Sequence, residues 1–284
     1  MTKNIGLKAA SCSVELCYFC VQQLRKMATA RSFGHMVQAF NRRANLPEMF
    51  ISSLNNITSE LNIDSVKSCL AMGAGDGCLE IGFIEKCTPN ITTFVAIEQE
   101  HELVECLKAH MRQRLPDVEG LMIESDFKGW KGPSSPVDLV LAFNVLYNRY
   151  YSGSDERRIL LKKVHDCWLT DGGFLAVLSD SPTSVRSKSP EKPSGSGIFD
   201  LLVVQVTFEE IEADILEVGF IKQYAHNFEF ERDFSNPDDD LLRFFLHRID
   251  QAVTLDDVRR MAKQLYPDGK AGGFNTFTVY KKAH

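Results

Sequence analysis

Four short stretches of the chain bring together residue types that can hold a ligand. Gly73-Ala74-Gly75-Asp76-Gly77 follows an apolar run over residues 66–72 and leads into a helical pattern. Glycines there let backbone N–H groups and a helix N-terminus approach a bound molecule closely. Glu98 and Gln99 close the next apolar run, about 20 residues further on, where an acid accepts hydrogen bonds from paired ribose hydroxyls. Asp126-Phe127 and Phe143-Asn144 close two more runs. Asp126 can accept from an adenine amino group, Phe127 can cover the ring, and Phe143 can wall the cleft. Each signal is weak alone: glycine-rich turns are common, a lone acid at a strand end is usually solvated, and either phenylalanine can belong to a core. Their order and spacing favour a nucleoside-binding crevice.

The glycine spacing narrows the nucleoside. A pyrophosphate cofactor such as NAD needs Gly-x-Gly-x-x-Gly, and the third position here is Cys78. No P-loop lysine is present to hold ATP. S-adenosyl-L-methionine, which carries no phosphate and ends in an amino-acid group, suits the loop better, with S-adenosyl-L-homocysteine as its product. No metal site is expected. Cys17-x-x-Cys20 has no second pair or histidine set to complete a zinc site. The eight cysteines read as free thiols packing as small hydrophobes in a reducing, cytoplasmic setting, and the sequons at Asn56 and Asn90 as fortuitous.

The remaining composition excludes several partners. The chain has 284 residues, a formal charge of −6 and scattered Lys and Arg, which argues against nucleic acid. Its densest basic stretch, residues 186–192, lies among Ser, Pro and Gly as a solvated loop. No apolar run approaches the roughly 18 residues of a membrane span. A soluble, cytoplasmic monomer acting on a small molecule is expected.

The elements that must position these residues alternate. Residues 12–57 carry helical spacing, as in Met36, Val37 and Phe40, punctuated by Pro47. Strands are expected at 66–72, 92–97, 120–123, 137–143, 174–178, 220–230 and 274–280. Helices are expected between them, one with Leu103, Leu107 and Met111 on its face and another capped by Ser154 and ended by Asp171-Gly172-Gly173. Thr207-Phe-Glu-Glu210 is a capping box, with Gly219 as the matching C-cap. Helices are also expected over 237–246 and 255–265. Strand–helix repetition means an α/β fold with a doubly wound, seven-stranded, mostly parallel sheet, the last strand antiparallel at its edge. The domain reading is an N-terminal helical cap over 1–60 and a ligand-binding domain over 61–284, with a flexible excursion at 181–197. His101 and His110 are expected to face solvent, and His35 is a titratable residue in the cap.

Leu70-x-x-Gly73-x-Gly75-x-Gly77, Glu98, Asp126 and the Asp138-to-Asn144 strand resemble the class I S-adenosylmethionine-dependent methyltransferases, with their Rossmann-like fold. More narrowly, the chain resembles the histamine N-methyltransferases from about Phe40 to Tyr280. That likeness rests on Val137-Asp-Leu-Val-Leu-Ala-Phe-Asn-Val-Leu-Tyr147, on Asp240-Leu-Leu-x-Phe-Phe245 and on Phe274-Asn-Thr-x-x-x-Val279. The resemblance implies that Gly73, Ala74, Gly75 and Gly77 contact the methionine moiety. It assigns Glu98 and Gln99 to the ribose, Asp126 and Phe127 to the adenine, and Phe143 to the cofactor wall. It assigns Phe33, Asn144, Tyr147, Phe245 and Asn275 to the amine acceptor, with no side chain acting as a catalytic base. The chain also departs from that family. Ser32-Phe33-Gly34 stands where a substrate-binding glutamate is expected, Asn144 replaces a Gln, Asn148 replaces an aromatic, and the 181–197 loop lacks the family's tryptophans. The implied activity is methyl transfer to a small aromatic or biogenic amine. The alternatives are an O or S acceptor, or a non-catalytic S-adenosylmethionine sensor.

Overall fold

The computed structural model describes residues 33–55, 57–146, 153–180, 207–246 and 254–283. The first strand, β1 (Ser68–Met72), is followed by helix α4 (Cys78–Cys87), β2 (Thr93–Glu98), α5 (His101–Arg114), β3 (Glu119–Glu124) and β4 (Val137–Phe143). Among the described residues, three short α-helices, α1 (Phe33–Arg43), α2 (Leu46–Ser53) and α3 (Ile57–Leu61), and a 3-10 turn over Ile63–Ser65 precede β1. After β4 come α6 (Ser154–Lys163), β5 (Leu169–Asp180), α7 (Phe208–Val218) and β6 (Phe220–Asp233). Then follow α8 (Asp239–Leu246), α9 (Leu255–Leu265) and β7 (Lys270–Lys282).

All seven strands join one sheet in the order β3-β2-β1-β4-β5-β7-β6. Strands β1 to β5 pair in parallel, and β7 runs antiparallel to both β5 and β6. The last strand is therefore antiparallel as expected, but it lies inside the sheet and β6 forms the edge. Register explains why: β7 pairs along its whole length with β6 and through Asn275–Lys281 with β5, so both of its edges are used.

Alternation along β1 divides the core. Cys69 and Ala71 face a cluster with Leu46, Phe50, Ile57, Phe83 and Leu107, whereas Leu70 and Met72 face Leu160, Val164, Trp168, Ile211 and Ile215. Strands covered on both sides need apolar residues at every position, as in Leu139–Phe143. Phe50 is fully buried, with its ring 5.3 Å from Phe143 and 5.2 Å from Phe277. Burying one such side chain stabilises by about 1.5–3 kcal/mol. A third cluster joins α8 and α9 through Leu241, Leu242, Val258 and Tyr266.

Several local expectations change. The helical run before residue 57 breaks at Ala44 and Asn45, because Ala44 bridges to Arg232 and Asn45 exchanges hydrogen bonds with Glu231 of β6. Residues 12–32 and 181–197 lie outside the described residues. Ser154 does not cap α6; its hydroxyl donates to Asp214 Oδ1 at 2.6 Å, beside the buried Arg157–Asp214 ion pair. Asp171-Gly172-Gly173 belongs to β5, the helix having already ended in a wide turn over Val164–Trp168. A Cβ on Gly173 would lie 3.1 Å from the Asp138 carbonyl oxygen, so glycine lets β5 approach β4. The Thr207 capping box forms, and Gly219 takes the left-handed C-cap at φ 111°.

Candidate functional site

The order of the sheet reverses between β1 and β4, so their carboxyl ends open a crevice of the kind that binds ligands in doubly wound folds. The glycine loop crosses this crevice with φ of 60° at Gly73, 55° at Gly75 and 80° at Gly77. These left-handed values favour glycine. A Cβ at Gly73 would lie 2.7 Å from Val145 Cγ1, and one at Gly77 would lie 2.3 Å from Leu107 Cδ1. At Gly75 it would meet nothing within 4 Å. Two of the glycines therefore serve packing, and Gly75 alone faces open space. Ala74 is buried, and its N–H donates to Ile97 O at 3.0 Å, which fixes the loop to β2.

Glu98 stands at the end of β2, 8% exposed. Its Oε2 accepts from Gly75 N–H at 3.0 Å, and its Oε1 accepts from Gln99 N–H at 2.8 Å and Glu100 N–H at 3.0 Å. A carboxylate offers about four acceptor positions, so these three donors leave capacity for a ligand hydroxyl. Burial pushes the Glu98 carboxyl above its ordinary range, and the backbone donors partly oppose this. Gln99 has an exposed side chain and takes part through its backbone.

Asp76, in the same loop, is 9% exposed and completes the frame. Its Oδ1 accepts from Cys78 N–H at 3.1 Å, and its Oδ2 accepts from Asn41 Nδ2 at 3.0 Å, tying α1 to the glycine loop. His110 is half-buried rather than solvent-facing, because Nδ1 donates to Asp76 O at 2.8 Å. His101 is exposed and pairs with Glu124. Burial and Asp76 push the Cys78 thiol up to about 12, which leaves it a poor nucleophile. Among the other described cysteines, Cys69 and Cys87 are buried as expected, Cys106 is half-buried and Cys167 is exposed.

The other expected residues divide. Asp126 is exposed, and its Oδ1 accepts from Lys128 N–H at 3.0 Å. Phe127 is 7% exposed and packs toward Gly73 in the same cluster as Val145. Phe143 is 3% exposed, and its ring packs among Phe50, Phe83 and Phe277 in the core. Asn144 is half-buried, adopts φ 56° and donates its N–H to Leu178 O at 2.8 Å. A non-glycine residue in that region at the end of a central strand is uncommon. Asn275 lies opposite Asp180 of β5 and Phe228 of β6. It is 2% exposed, and its Oδ1 has no hydrogen bond among the described residues. Phe33 opens α1 and Phe245 lies in α8, but their side chains, and all of Tyr147, lie outside the described residues. His35 is exposed.

Sequence reasoning missed Asn41, His110 and Glu80. Glu80 is 4% exposed in the first turn of α4, and burial raises its carboxyl well above the usual range. The signal was an acid within the apolar run Cys78-Leu-Glu-Ile-Gly-Phe-Ile84.

No helix among the described residues is long and apolar enough to cross a membrane. No family model and no curated protein sequence matches the chain. Solved structures do match. A candidate methyltransferase from Bacillus halodurans C-125 is similar at a TM-score of 0.56 and 13% identity, over 82% of this chain and 100% of its own. The YcgJ protein of Bacillus subtilis is similar at 0.54 and 12%, over 82% and 99%. The cyclopropane synthase MmaA2 of Mycobacterium tuberculosis is similar at 0.50 and 13%, over 81% and 84%. Such identities speak to fold, and one fold serves several chemistries. The chain has the Rossmann-like fold of the class I S-adenosylmethionine-dependent methyltransferases.

Proposed function

We propose that the protein is an S-adenosylmethionine-dependent methyltransferase acting on the nitrogen of a small aromatic or biogenic amine. The observation that carries this reading is the junction of Gly75 and Glu98: a loop glycine facing open space, hydrogen-bonded to a buried acid with acceptor capacity to spare. The residues fit the donor. Among the described residues, Asp76 and Glu98 have only neutral hydrogen-bond partners, an environment that suits a cation and repels phosphate.

When bound, the donor supplies an electrophilic methyl group on a sulfonium. In this reading Gly75 leaves room for the amino-acid end, Glu98 holds the ribose, and Phe127 with Asp126 borders the adenine. Asn275 accepts a hydrogen bond from the acceptor through its otherwise unsatisfied Oδ1, and Asn144 orients the acceptor from the end of β4. Holding a neutral amine in line with the reacting carbon is the larger part of such catalysis. A base is not required, because the amine can lose its proton to water before it binds.

The test is titration calorimetry with S-adenosylhomocysteine, followed by transfer from labelled S-adenosylmethionine to histamine, tryptamine, phenylethylamine and an imidazole dipeptide. Turnover on one of these establishes the reading. Binding without turnover on any of them points to an O or S acceptor or a sensor, and no binding removes the donor from the account.

A further inference from the structure

Helix α1 carries neighbouring residues that reach two different parts of the fold. On one side the Asn41 amide donates to Asp76 Oδ2 at 3.0 Å, and Gln38, one turn earlier on the same face, donates to Cys106 Sγ of α5 at 3.0 Å. The Asp76 carboxylate is thereby held between two elements, since its Oδ1 accepts Cys78 N–H at the start of α4. Asp76 directly follows Gly75, whose N–H is fixed by Glu98. The position of α1 therefore bears on the one turn glycine that faces open space.

On its other side Phe40 packs toward β6. The Arg232 guanidinium lies over two aromatic faces, 4.9 Å from the Phe40 ring and 4.3 Å from the Phe230 ring. Ala44 bridges to Arg232, and Arg43 Nη1 lies 3.5 Å from Asp233 Oδ2, so the end of α1 is fixed to this strand. Phe228, Phe230 and Arg232 stand on one face of β6, opposite Asn275, Gly273 and Ala271 of β7. A Cβ on Gly273 would lie 2.5 Å from Phe230 Cζ and 3.0 Å from Arg232 Nη1. Both side chains therefore lie across that glycine, two residues from Asn275. A row of paired and touching residues thus runs from the Asn275 position through Phe230, Arg232 and Phe40 to Asn41, and from there to Asp76.

We infer that Asn41 is a positioning residue: acting through Asp76, it sets the glycine turn according to where Arg232 holds α1, and so links the donor end of the crevice to the Asn275 end. This rests on the function proposed above, in which Gly75 receives the amino-acid part of the donor and Asn275 meets the acceptor. A hydrogen-bonded helix moves as a unit, so a shift of α1 at Phe40 is carried to Asn41 and reaches the loop at Asp76. Linkage of this kind is reciprocal, and a ligand that fixes the loop also steadies α1.

The experiment is a double-mutant cycle on S-adenosylhomocysteine affinity, measured by titration calorimetry on the full chain. Asn41→Leu is expected to weaken binding about tenfold, and Asn41→Gln, which keeps the amide donor, to recover part of the loss. Phe40→Leu removes the ring under Arg232. It is expected to weaken binding about threefold with Asn41 present, and to have no effect in the Asn41→Leu background. Gln38→Leu loosens the same helix without touching Asp76, and is expected to leave affinity within about twofold of wild type. Hydrogen exchange adds a second readout: the ligand is expected to slow exchange of the α1 amides in wild type and not in Asn41→Leu. If Asn41→Leu does not fold, Asn41→Asp keeps the volume, replaces the donor by an acceptor and is read in the same way. Additive losses in the cycle, an equal loss in Gln38→Leu, or α1 exchange indifferent to the ligand overturns the inference while the methyltransferase reading stands. Absence of S-adenosylhomocysteine binding to the wild type overturns that reading, and this inference with it.

Discussion

Glu98 Oε2 accepts the backbone N–H of Gly75 at 3.0 Å, so the acid at the end of β2 fixes the one loop glycine that faces open space. The same side chain therefore shapes the loop and presents the remaining acceptor positions to a ligand. Binding and loop order are coupled through it. Glu98→Ala leaves Gly75, Gln99 and Glu100 N–H without their carboxylate and removes the acceptor offered to the ligand. It is expected to weaken S-adenosylhomocysteine binding by a few kcal/mol at most, about 1.5–3 kcal/mol for one charge-assisted hydrogen bond to the ligand. Glu98→Gln keeps an acceptor and is expected to fall between wild type and alanine. Calorimetry on both variants checks this, and unchanged affinity in Glu98→Ala removes the residue from the site.

The glycines of the loop are predicted to separate into two kinds. Gly77→Ala places a Cβ 2.3 Å from Leu107 Cδ1, in a backbone region that L residues avoid, and is expected to lower the urea midpoint clearly. Gly75→Ala meets no neighbour, so its stability cost is limited to the left-handed backbone, about 1–2 kcal/mol. It is expected to act mainly on ligand affinity. Denaturation and ligand titration of the two variants give the comparison, and equal effects in both measurements would contradict the division.

Asn275 carries a buried amide oxygen with no partner among the described residues, an arrangement that costs about 1–3 kcal/mol. Replacing it by an apolar residue of similar volume removes the cost. Asn275→Leu is expected to hold or raise the melting temperature while raising KM for the acceptor and leaving donor affinity unchanged. A fall in melting temperature together with loss of both ligands assigns the residue to the framework instead.

Acidity supplies a further check. Burial raises the Glu80 and Glu98 carboxyls above their values in an unfolded chain. Across the interval between those values the folded protein holds more protons than the unfolded one. Stability from these groups is thus full below the ordinary glutamate range and is lost as pH rises through the folded values. Glu80→Gln imitates the neutral acid at every pH. Its urea midpoint is expected to decline less than that of wild type as pH rises above the ordinary glutamate range, and parallel curves would show that Glu80 ionises normally.

Much of this architecture is legible locally. Strand–helix alternation sets the α/β class, and the 137–143 strand and the 255–265 helix appear where periodicity places them. The capping box at Thr207 and the left-handed glycines at 73, 75 and 77 follow from short-range stereochemistry. Phe143 shows where this reading ends. As a phenylalanine at a strand end it suits a ligand cleft, yet rings from α2, α4 and β7 enclose it.

The sequence by itself determined the order of elements, the glycine turn and the acid that closes β2, because each depends on residues near one another in the chain. Only the tertiary structure decided that β7 enters between β5 and β6, that Asn41 reaches Asp76, and that Glu80 is buried. The physical reason is the range of the interactions. Dihedral preferences and hydrophobic periodicity act over a few residues, whereas the pairing of Asp180 with Asn275 and the low-dielectric surroundings of Glu80 arise only when distant segments pack together.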